Sequence, residues 1–202
     1  MMANVVGLVD VGLVGNIASI RRALRAAGAH VEVIDRPEQL KQVGKLVLPG
    51  VGSFAEAMAE ITARGWLTPL REAASSLPTL GICLGMQLLA RVGYEFGESE
   101  GLALLDGEVR RMDCKAPVPH IGFKPVQPVA DPCLFRGLPE QAEFYFMHSY
   151  EVVNYTDVAA LSVHGQHRFV CALQRGQLFG VQFHPEKSRD AGIALLRNFV
   201  EL

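Results

Sequence analysis

The chain has 202 residues, of which 50% are hydrophobic and 20% are charged, with a formal net charge of −2 at pH 7. This length suffices for a sizeable core, and the near-neutral charge gives no electrostatic reason to expect nucleic-acid binding. The first residues are apolar only in patches and are interrupted by Asp10, so neither a signal peptide nor a membrane span is expected. We therefore expect a cytoplasmic protein that forms one domain over residues 1–202.

The first half of the chain alternates short apolar runs with helical patterns. The runs predict strands at Val5–Val9, His30–Ile34, Lys45–Leu48 and Thr79–Ile82, and a helix at Ile17–Ala27 that Gly28 ends. Strands that are apolar almost throughout are typical of a parallel sheet that is covered on both faces. In such a sheet the ligand site lies beyond the carboxyl ends of the strands.

The second half of the chain has a different sequence pattern. From Gly107 to Gln182 it shows short β-like runs separated by Gly, Pro and Asp, and a helix is predicted at Ala191–Val200. The predicted fold class is therefore α/β, with a central, mostly parallel sheet flanked by helices and an additional antiparallel β region.

One cysteine lies at a predicted turn between a strand and a helix. Cys83 joins the strand Thr79–Ile82 to a helix predicted over Leu84–Arg91, with glycines at 81 and 85. A tight turn there exposes the sulfur, and the free N–H groups of the helix start favour a thiolate. This pattern predicts a nucleophile, although a lone cysteine is commonly a small core residue instead.

A histidine and a glutamate follow a second predicted strand, Leu178–Phe183. Alternation along that strand would put His184 and Glu186 on the same side, with Pro185 ending the strand between them. A thiolate requires a proton donor and acceptor, and that group requires an orienting partner. Alone, the segment is more typical of a surface histidine beside a glutamate that starts a helix, but together with the cysteine turn it predicts a triad.

The glycine-rich turn Pro49–Ser53 also follows a strand, and Ser53 is placed to cap the next helix. The turn lacks the Lys-Ser/Thr of a phosphate-binding loop and the third glycine of a dinucleotide site. An oxyanion loop is the better hypothesis, with the N–H of Leu84 as a second donor. A simple turn in the unliganded protein is the alternative.

These segments resemble the class I, triad-type glutamine amidotransferases. The resemblance is carried by Cys83 and Gln87 in Gly-x-Cys-x-Gly-x-Gln and by His184 and Glu186 in His-Pro-Glu. It covers almost the whole chain, and includes the segments 48–53, 119–122, 144–150 and 183–188. It implies a flavodoxin-like fold and the hydrolysis of glutamine to glutamate and ammonia through a thioester, with neither a metal nor a cofactor.

The resemblance also implies a role for individual residues. It makes Cys83, His184 and Glu186 catalytic and Val51 and Leu84 oxyanion donors, and assigns the substrate to Gly50, Gly52, Gln87, His148, Ser149 and Tyr150. It implies a partner contact or gate at Asn16, His120, Phe123 and Lys187. For His148, a hydrogen-bonded core residue is the alternative. The remaining cysteines, Cys114, Cys133 and Cys171, have no metal-ligand spacing and are expected to be reduced.

Within this family the chain looks most like glutaminase subunits that pass ammonia to a (β/α)₈-barrel cyclase subunit, in a heterodimer that makes imidazole glycerol phosphate for histidine biosynthesis. Two segments depart from that pattern: Phe123-Lys124 stands where Trp-Asn is expected, and the turn from Asp10 to Asn16 is about one residue longer. Three alternatives stay open: a glutaminase subunit of another synthase, a stand-alone γ-glutamyl or peptide hydrolase, and a binding module without activity. The intact triad residues argue against the last.

Overall fold

The computed structural model describes residues 5–12, 16–153 and 156–202. Its helices are α1 (Ile17–Ala26), α2 (Phe54–Ala63), α3 (Leu67–Ser76), α4 (Leu84–Leu88) and α5 (Arg189–Val200). Its strands are β1 (Val5–Val9), β2 (His30–Ile34), β3 (Lys45–Leu48), β4 (Thr79–Ile82), β5 (Val92–Gly93), β6 (Ser99–Glu100), β7 (Glu108–Arg111), β8 (His120–Pro125), β9 (Gln127–Pro128), β10 (Glu143–His148), β11 (Tyr150–Val153), β12 (Val158–His164), β13 (His167–Arg175) and β14 (Leu178–Val181). Short 3₁₀ turns cover Pro37–Gln42, Cys133–Phe135 and Pro185–Lys187.

The main sheet has the strand order β2-β1-β3-β4-β14-β13-β12-β9. The first five strands in this order run parallel to one another; they are β2, β1, β3, β4 and β14. The last three, β13, β12 and β9, continue the sheet in antiparallel pairs. This confirms the predicted combination of a parallel centre and an antiparallel region. The carboxyl ends of β3, β4 and β14 meet at one edge, which brings the turns that follow them together.

Both faces of the parallel strands are buried. In β3, Val47 packs into a core with α1 and α5, whereas Leu46 and Leu48 pack into a second core with α2, α3 and α4. Because side chains alternate along a strand, a strand covered on both faces requires apolar residues at consecutive positions. This is why β1, β3 and β4 were predictable from their composition.

Two smaller sheets lie outside the main one. β8 and β10 form an antiparallel pair, and β5, β6, β7 and β11 form a second sheet. In the pair, Phe144, Phe146 and His148 are buried, whereas Tyr145 and Met147 point to the other face. β10 leads into β11 through Ser149, so both small sheets reach the edge where β4 ends.

Four predicted elements have wrong bounds. The helix after Cys83 ends at Leu88 instead of Arg91, because the carbonyls of Leu88 and Leu89 accept hydrogen bonds from the N–H groups of residues 102, 104 and 105. The strand predicted to reach Phe183 ends at Val181. Helix α1 ends at Ala26 instead of Ala27, and α5 begins two residues earlier than predicted.

In the described parts of the chain, no helix is long and apolar enough to cross a membrane. All four cysteines are free. Part of the turn predicted to be longer than usual, residues 13–15, lies outside the described residues. The assignment of residues 1–202 to one domain stays a prediction.

Candidate active site

Cys83 occupies a sharp elbow between β4 and α4. Its φ of 53° and ψ of −113° lie in a region that residues with a Cβ rarely adopt, and its N–H is anchored to the carbonyl of Val181 at 2.8 Å. The elbow requires glycines around it: a Cβ on Gly85 would lie 1.8 Å from the carbonyl oxygen of Leu48, and one on Gly81 would lie 2.6 Å from that of Gly85. The backbone therefore holds the sulfur at the edge where the parallel strands end.

His184 and Glu186 form a buried ion pair beside this elbow. Nδ1 of His184 donates to Oε1 of Glu186 at 2.8 Å, and both side chains are almost fully buried. Asn16 donates its side-chain N–H to the same oxygen. The pairing was predicted, but strand alternation is the wrong reason for it: Pro185–Lys187 is a 3₁₀ turn, which folds Glu186 back onto the imidazole.

The environment of His184 favours its protonated form. Burial lowers the pKa of His184, but interactions with the Cys83 sulfur and with Glu186 outweigh burial and raise it to about 9. Since Glu186 occupies Nδ1, the proton on Nε2 is the one that a reacting group can receive, and Nε2 has no partner among the residues described. The site thus combines the Cys83 sulfur with an oriented imidazolium at neutral pH.

The glycine-rich loop between β3 and α2 packs directly on the elbow. A Cβ on Gly50 would lie 2.8 Å from the backbone nitrogen of Gly85, and Gly52 has a φ of +99°. Leu84 is the first residue of α4, so its N–H has no acceptor within the helix. The backbone of Val51 and Leu84 therefore approaches the cavity from two sides. Ser53 accepts from the N–H of Glu56 at 3.4 Å, as expected for a helix cap.

A cavity of about 280 Å³ opens in front of Cys83. Most of the predicted substrate and oxyanion residues line it, together with Cys83 and His184; they are Val51, Gly52, Leu84, Gln87, His148, Ser149 and Tyr150. Gly50 instead lines a smaller cavity behind the loop, with Asp10 and Asn16. The large cavity has a size suited to a small polar substrate such as an amino acid.

Gln87 is fixed by two hydrogen bonds. Its side-chain nitrogen donates to the carbonyl of Tyr150 at 3.0 Å and to Oε1 of Gln182 at 2.9 Å. Both N–H groups are then used within the protein, and the amide oxygen is the group that remains for a ligand. Gln182 was not predicted as a site residue, and its side chain reaches Cys83.

His148 lines the cavity but has both nitrogens engaged. Nδ1 bonds the carbonyl of Tyr150 at 2.9 Å and Nε2 bonds His120 at 3.2 Å. Burial, only partly offset by the Tyr150 carbonyl, lowers the pKa of His148 to about 4, and burial with neighbouring histidines lowers that of His120 to about 3. The structure therefore favours the alternative of a hydrogen-bonded core residue for His148. His120 is fully buried, so its ring reaches no partner surface in this conformation.

Sequence reasoning missed a carboxylate in the cavity wall. Glu95 lines the cavity, and its Oε2 accepts from the N–H of Phe54, the first residue of α2, at 2.8 Å. Glu95 and Glu98 lie in a short loop between two short strands, and the sequence gives no pattern that singles out Glu95. Its charge suits the ammonium group of an amino-acid substrate. Pro119 and Met147 are the other cavity residues that were not predicted.

A surface patch adjoins the triad on the outer face of β8 and β10. Ile121 is paired with Met147 and Phe123 with Tyr145, and the side chains of Ile121 and Met147 are exposed. Lys187 lies over the Tyr145 ring, 5.6 Å from its centroid. Two of the predicted partner residues, Phe123 and Lys187, thus lie at this patch. Lys187 directly follows Glu186 in the sequence.

The sequence profile of the family described as Glutamine amidotransferase class-I matches residues 8–202. The chain belongs to this family. This confirms the family that the sequence resemblance predicted, and the fold of the chain is that of a class I glutamine amidotransferase.

Similar proteins fall within the same family. The chain is 44% identical over 200 residues to the imidazole glycerol phosphate synthase subunit HisH of Moorella thermoacetica, covering 98% of this chain and 94% of that one. It is 42% identical to the subunit of the same name from Salinibacter ruber over 205 residues, covering 96% and 93%. A solved glutamine amidotransferase has a TM-score of 0.77 at 21% identity, covering 97% of each chain, so it supports the fold alone.

Proposed function

We propose that this chain is the glutaminase subunit of imidazole glycerol phosphate synthase and acts with a cyclase subunit in histidine biosynthesis in the cytoplasm. One observation carries the glutaminase part: Cys83 on a strained elbow shares a cavity with His184, whose Nδ1 is bound to the buried Glu186. The synthase part is supported by relatives of that name that are 38–44% identical over nearly the whole chain.

In the proposed reaction the Cys83 thiolate attacks the side-chain amide carbon of glutamine. Negative charge develops on the amide oxygen, which the N–H groups of Val51 and Leu84 stabilise. His184 donates its Nε2 proton to the leaving nitrogen, the C–N bond breaks and ammonia departs. The now neutral His184 then takes a proton from water, the hydroxyl attacks the γ-glutamyl thioester, and the C–S bond breaks to release glutamate and the thiolate.

The amino-acid end of glutamine is held at the other end of the cavity. The Glu95 carboxylate and the free oxygen of Gln87 both accept hydrogen bonds from an ammonium group. Ser149 and Tyr150 supply further polar groups, and we assign no contact to the nitrogens of His148. This arrangement places the γ-amide rather than the α-carboxylate at Cys83.

The partner surface is the patch formed by Ile121, Phe123, Tyr145, Met147 and Lys187. It is apolar at its centre, carries exposed Ile121 and Met147 side chains, and lies next to the triad. Ammonia released into bulk water at neutral pH becomes ammonium and loses its nucleophilic lone pair. A cyclase subunit of the (β/α)₈-barrel type that docks there receives ammonia directly, and this explains why a glutaminase carries an apolar patch beside its active site.

The Gly50-Val51-Gly52 loop offers a way to couple the two subunits. Its glycines make reorientation of the Val51 peptide inexpensive, and withholding one oxyanion donor lowers a rate by about 10²–10³-fold. We therefore expect the isolated chain to be a poor glutaminase. Binding of the cyclase subunit with its nucleotide substrate raises kcat by about 10²-fold or more.

Steady-state assays of glutamine hydrolysis test this proposal, with the chain alone, with the cyclase subunit, and with cyclase subunit and nucleotide. The expected result is slow hydrolysis by the chain alone and strong activation only in the complete mixture. If the chain alone hydrolyses glutamine at the rate of the complex, the stand-alone hydrolase becomes the better hypothesis.

A further inference from the structure

Gln182 is a buried polar residue to which the mechanism above gives no role. It directly follows β14, its side chain is completely buried, and its backbone N–H bonds the carbonyl of Cys171 at 2.9 Å. A buried amide side chain costs free energy unless its groups are hydrogen-bonded, and an aliphatic residue of the same length would fill the space without that cost. Its polar groups therefore call for a specific explanation.

The hydrogen-bond partners around Gln182 determine which of its side-chain atoms is the nitrogen and which is the oxygen. The carbonyl oxygen of Tyr150 only accepts, so the atom of Gln87 that bonds it, at 3.0 Å, is the nitrogen. That same nitrogen lies 2.9 Å from Gln182, which must present its oxygen there. The nitrogen of Gln182 is thereby turned toward the sulfur of Cys83, 3.7 Å away.

We propose that Gln182 is a neutral hydrogen-bond donor to the Cys83 nucleophile, held in the donating orientation by Gln87 and the Tyr150 carbonyl. This inference rests on the proposed role of Cys83 as the nucleophile. An amide N–H stabilises a thiolate more strongly than a thiol, because hydrogen bonds to charged acceptors are the stronger ones. The contact therefore favours the reactive form of Cys83.

A neutral donor is suited to this position. A lysine or arginine there would stabilise the thiolate as well, but its charge would also repel the His184 imidazolium that must form the same pair. The amide of Gln182 supports the thiolate without that penalty. It also connects the substrate residue Gln87 to the nucleophile through two consecutive hydrogen bonds.

The test compares the reactivity of Cys83 toward iodoacetamide across pH in the full chain and in Gln182→Met, which removes the donor at similar length. Alkylation is measured by mass spectrometry of the Cys83 peptide, with the half-buried Cys114 in the same sample as the internal reference. Gln174→Met is the matched control, since Gln174 lies on β13 and contacts Cys133 instead.

Loss of the donor moves the midpoint of Cys83 alkylation upward by about one pH unit, so that alkylation slows by about tenfold at pH values below the wild-type midpoint. Above the midpoint the rate matches that of the wild type, and Cys114 and the Gln174→Met control are unchanged. The other titratable groups near the sulfur are common to all variants, so the difference reports Gln182 alone; they are His184, Glu186, His148, Glu95 and Tyr150.

A midpoint equal to that of the wild type in folded Gln182→Met overturns the proposal and leaves Gln182 a packing residue. Should this variant fail to fold, Gln182→Leu gives the same test, because it also removes the donor to the sulfur and adds no charge. Its midpoint must rise, and an unchanged or lower midpoint overturns the proposal. Alkylation requires no glutamine turnover, so this outcome is independent of whether Cys83→Ala abolishes glutamine hydrolysis.

Discussion

Replacing Glu186 with glutamine tests how the triad is organised. The Oε2 atom of Glu186 has no partner among the residues described, and Oε1 accepts from both His184 and Asn16. The amide of Glu186→Gln therefore keeps its oxygen toward His184 and places its NH₂ where Oε2 was. The substitution removes the negative charge and preserves the geometry.

The expected effect follows from the protonation of His184. Its pKa of about 9, against an ordinary value of 6.5, corresponds to about 3 kcal/mol in favour of the imidazolium. Burial opposes this shift, and Cys83 and Glu186 produce it. Without the Glu186 charge the pKa of His184 falls by about one unit or more, so less imidazolium is present to protonate the leaving ammonia.

The assay is the pH dependence of kcat/KM for glutamine hydrolysis in the proposed complex with a cyclase subunit. In the wild type the alkaline limb lies near pH 9, since the imidazolium is lost as the pH rises through that value. In Glu186→Gln the limb moves to lower pH and the maximum falls by about 10²–10⁴-fold. An unchanged alkaline limb would refute the assignment of Glu186 as the group that charges and orients His184.

The raised pKa of His184 also predicts how the stability of the protein depends on pH. Its stabilising effect is lost as the pH rises, whereas the effect of a salt-bridged carboxylate is lost as the pH falls. A group whose pKa is raised on folding stabilises the protein fully below its unfolded value, and the contribution disappears as the pH rises through its folded value. The free energy of unfolding of Glu186→Gln should thus lie below that of the wild type at pH 6.5 and converge with it above about pH 9. Urea unfolding at several pH values measures this, and a difference that grows with pH would contradict it.

Three further substitutions and one control substitution have defined outcomes. Cys83→Ala should lower glutamine hydrolysis by about 10³-fold or more, while synthesis from added ammonia by the complex continues, and hydrolysis near the wild-type rate would rule the nucleophile out. His184→Ala should be nearly as damaging in the same assay, and more so than Glu186→Gln; the reverse ranking would give the carboxylate a direct role. Gly85→Ala places a Cβ 1.8 Å from the Leu48 carbonyl oxygen and should lower the free energy of unfolding by about 3 kcal/mol, as measured in urea. Gly28→Ala meets open space and should cost only about 1 kcal/mol, owing to its φ of +99°, and equal losses would refute the steric argument.

The parallel half of the fold was predictable because its information is local. Strands such as Val5–Val9 and Thr79–Ile82 are apolar at consecutive positions, and the glycines at 81 and 85 reveal the close approach of backbones around the elbow. The triad was predictable since its residues occur in two short segments with chemically distinctive side chains. The family resemblance extended these local patterns to most of the cavity wall.

Features that depend on contacts between distant segments were not predictable in this way. The contact of Asn16 with Glu186 spans 170 positions, and the contact of Gln182 with Cys83 spans 99. The helix after Cys83 ends early because the carbonyls at its end accept hydrogen bonds from a loop around residue 104. Helix propensity describes only local preferences, so it does not predict this contact. Likewise the contact of His148 with His120, which lies on another strand and occupies its second nitrogen, has no counterpart in the local sequence.

Release of ammonia at Cys83 for use by a cyclase subunit can be followed with glutamine labelled with ¹⁵N in the amide. The complex of this chain with the cyclase subunit is supplied with its nucleotide substrate, and the imidazole glycerol phosphate is analysed by mass spectrometry. We predict that wild-type complex transfers the label into the imidazole ring even when unlabelled ammonium is present, whereas the Cys83→Ala complex makes only unlabelled product from that ammonium. Label transfer by Cys83→Ala, or only unlabelled product from the wild type, would show that Cys83 does not supply the ammonia.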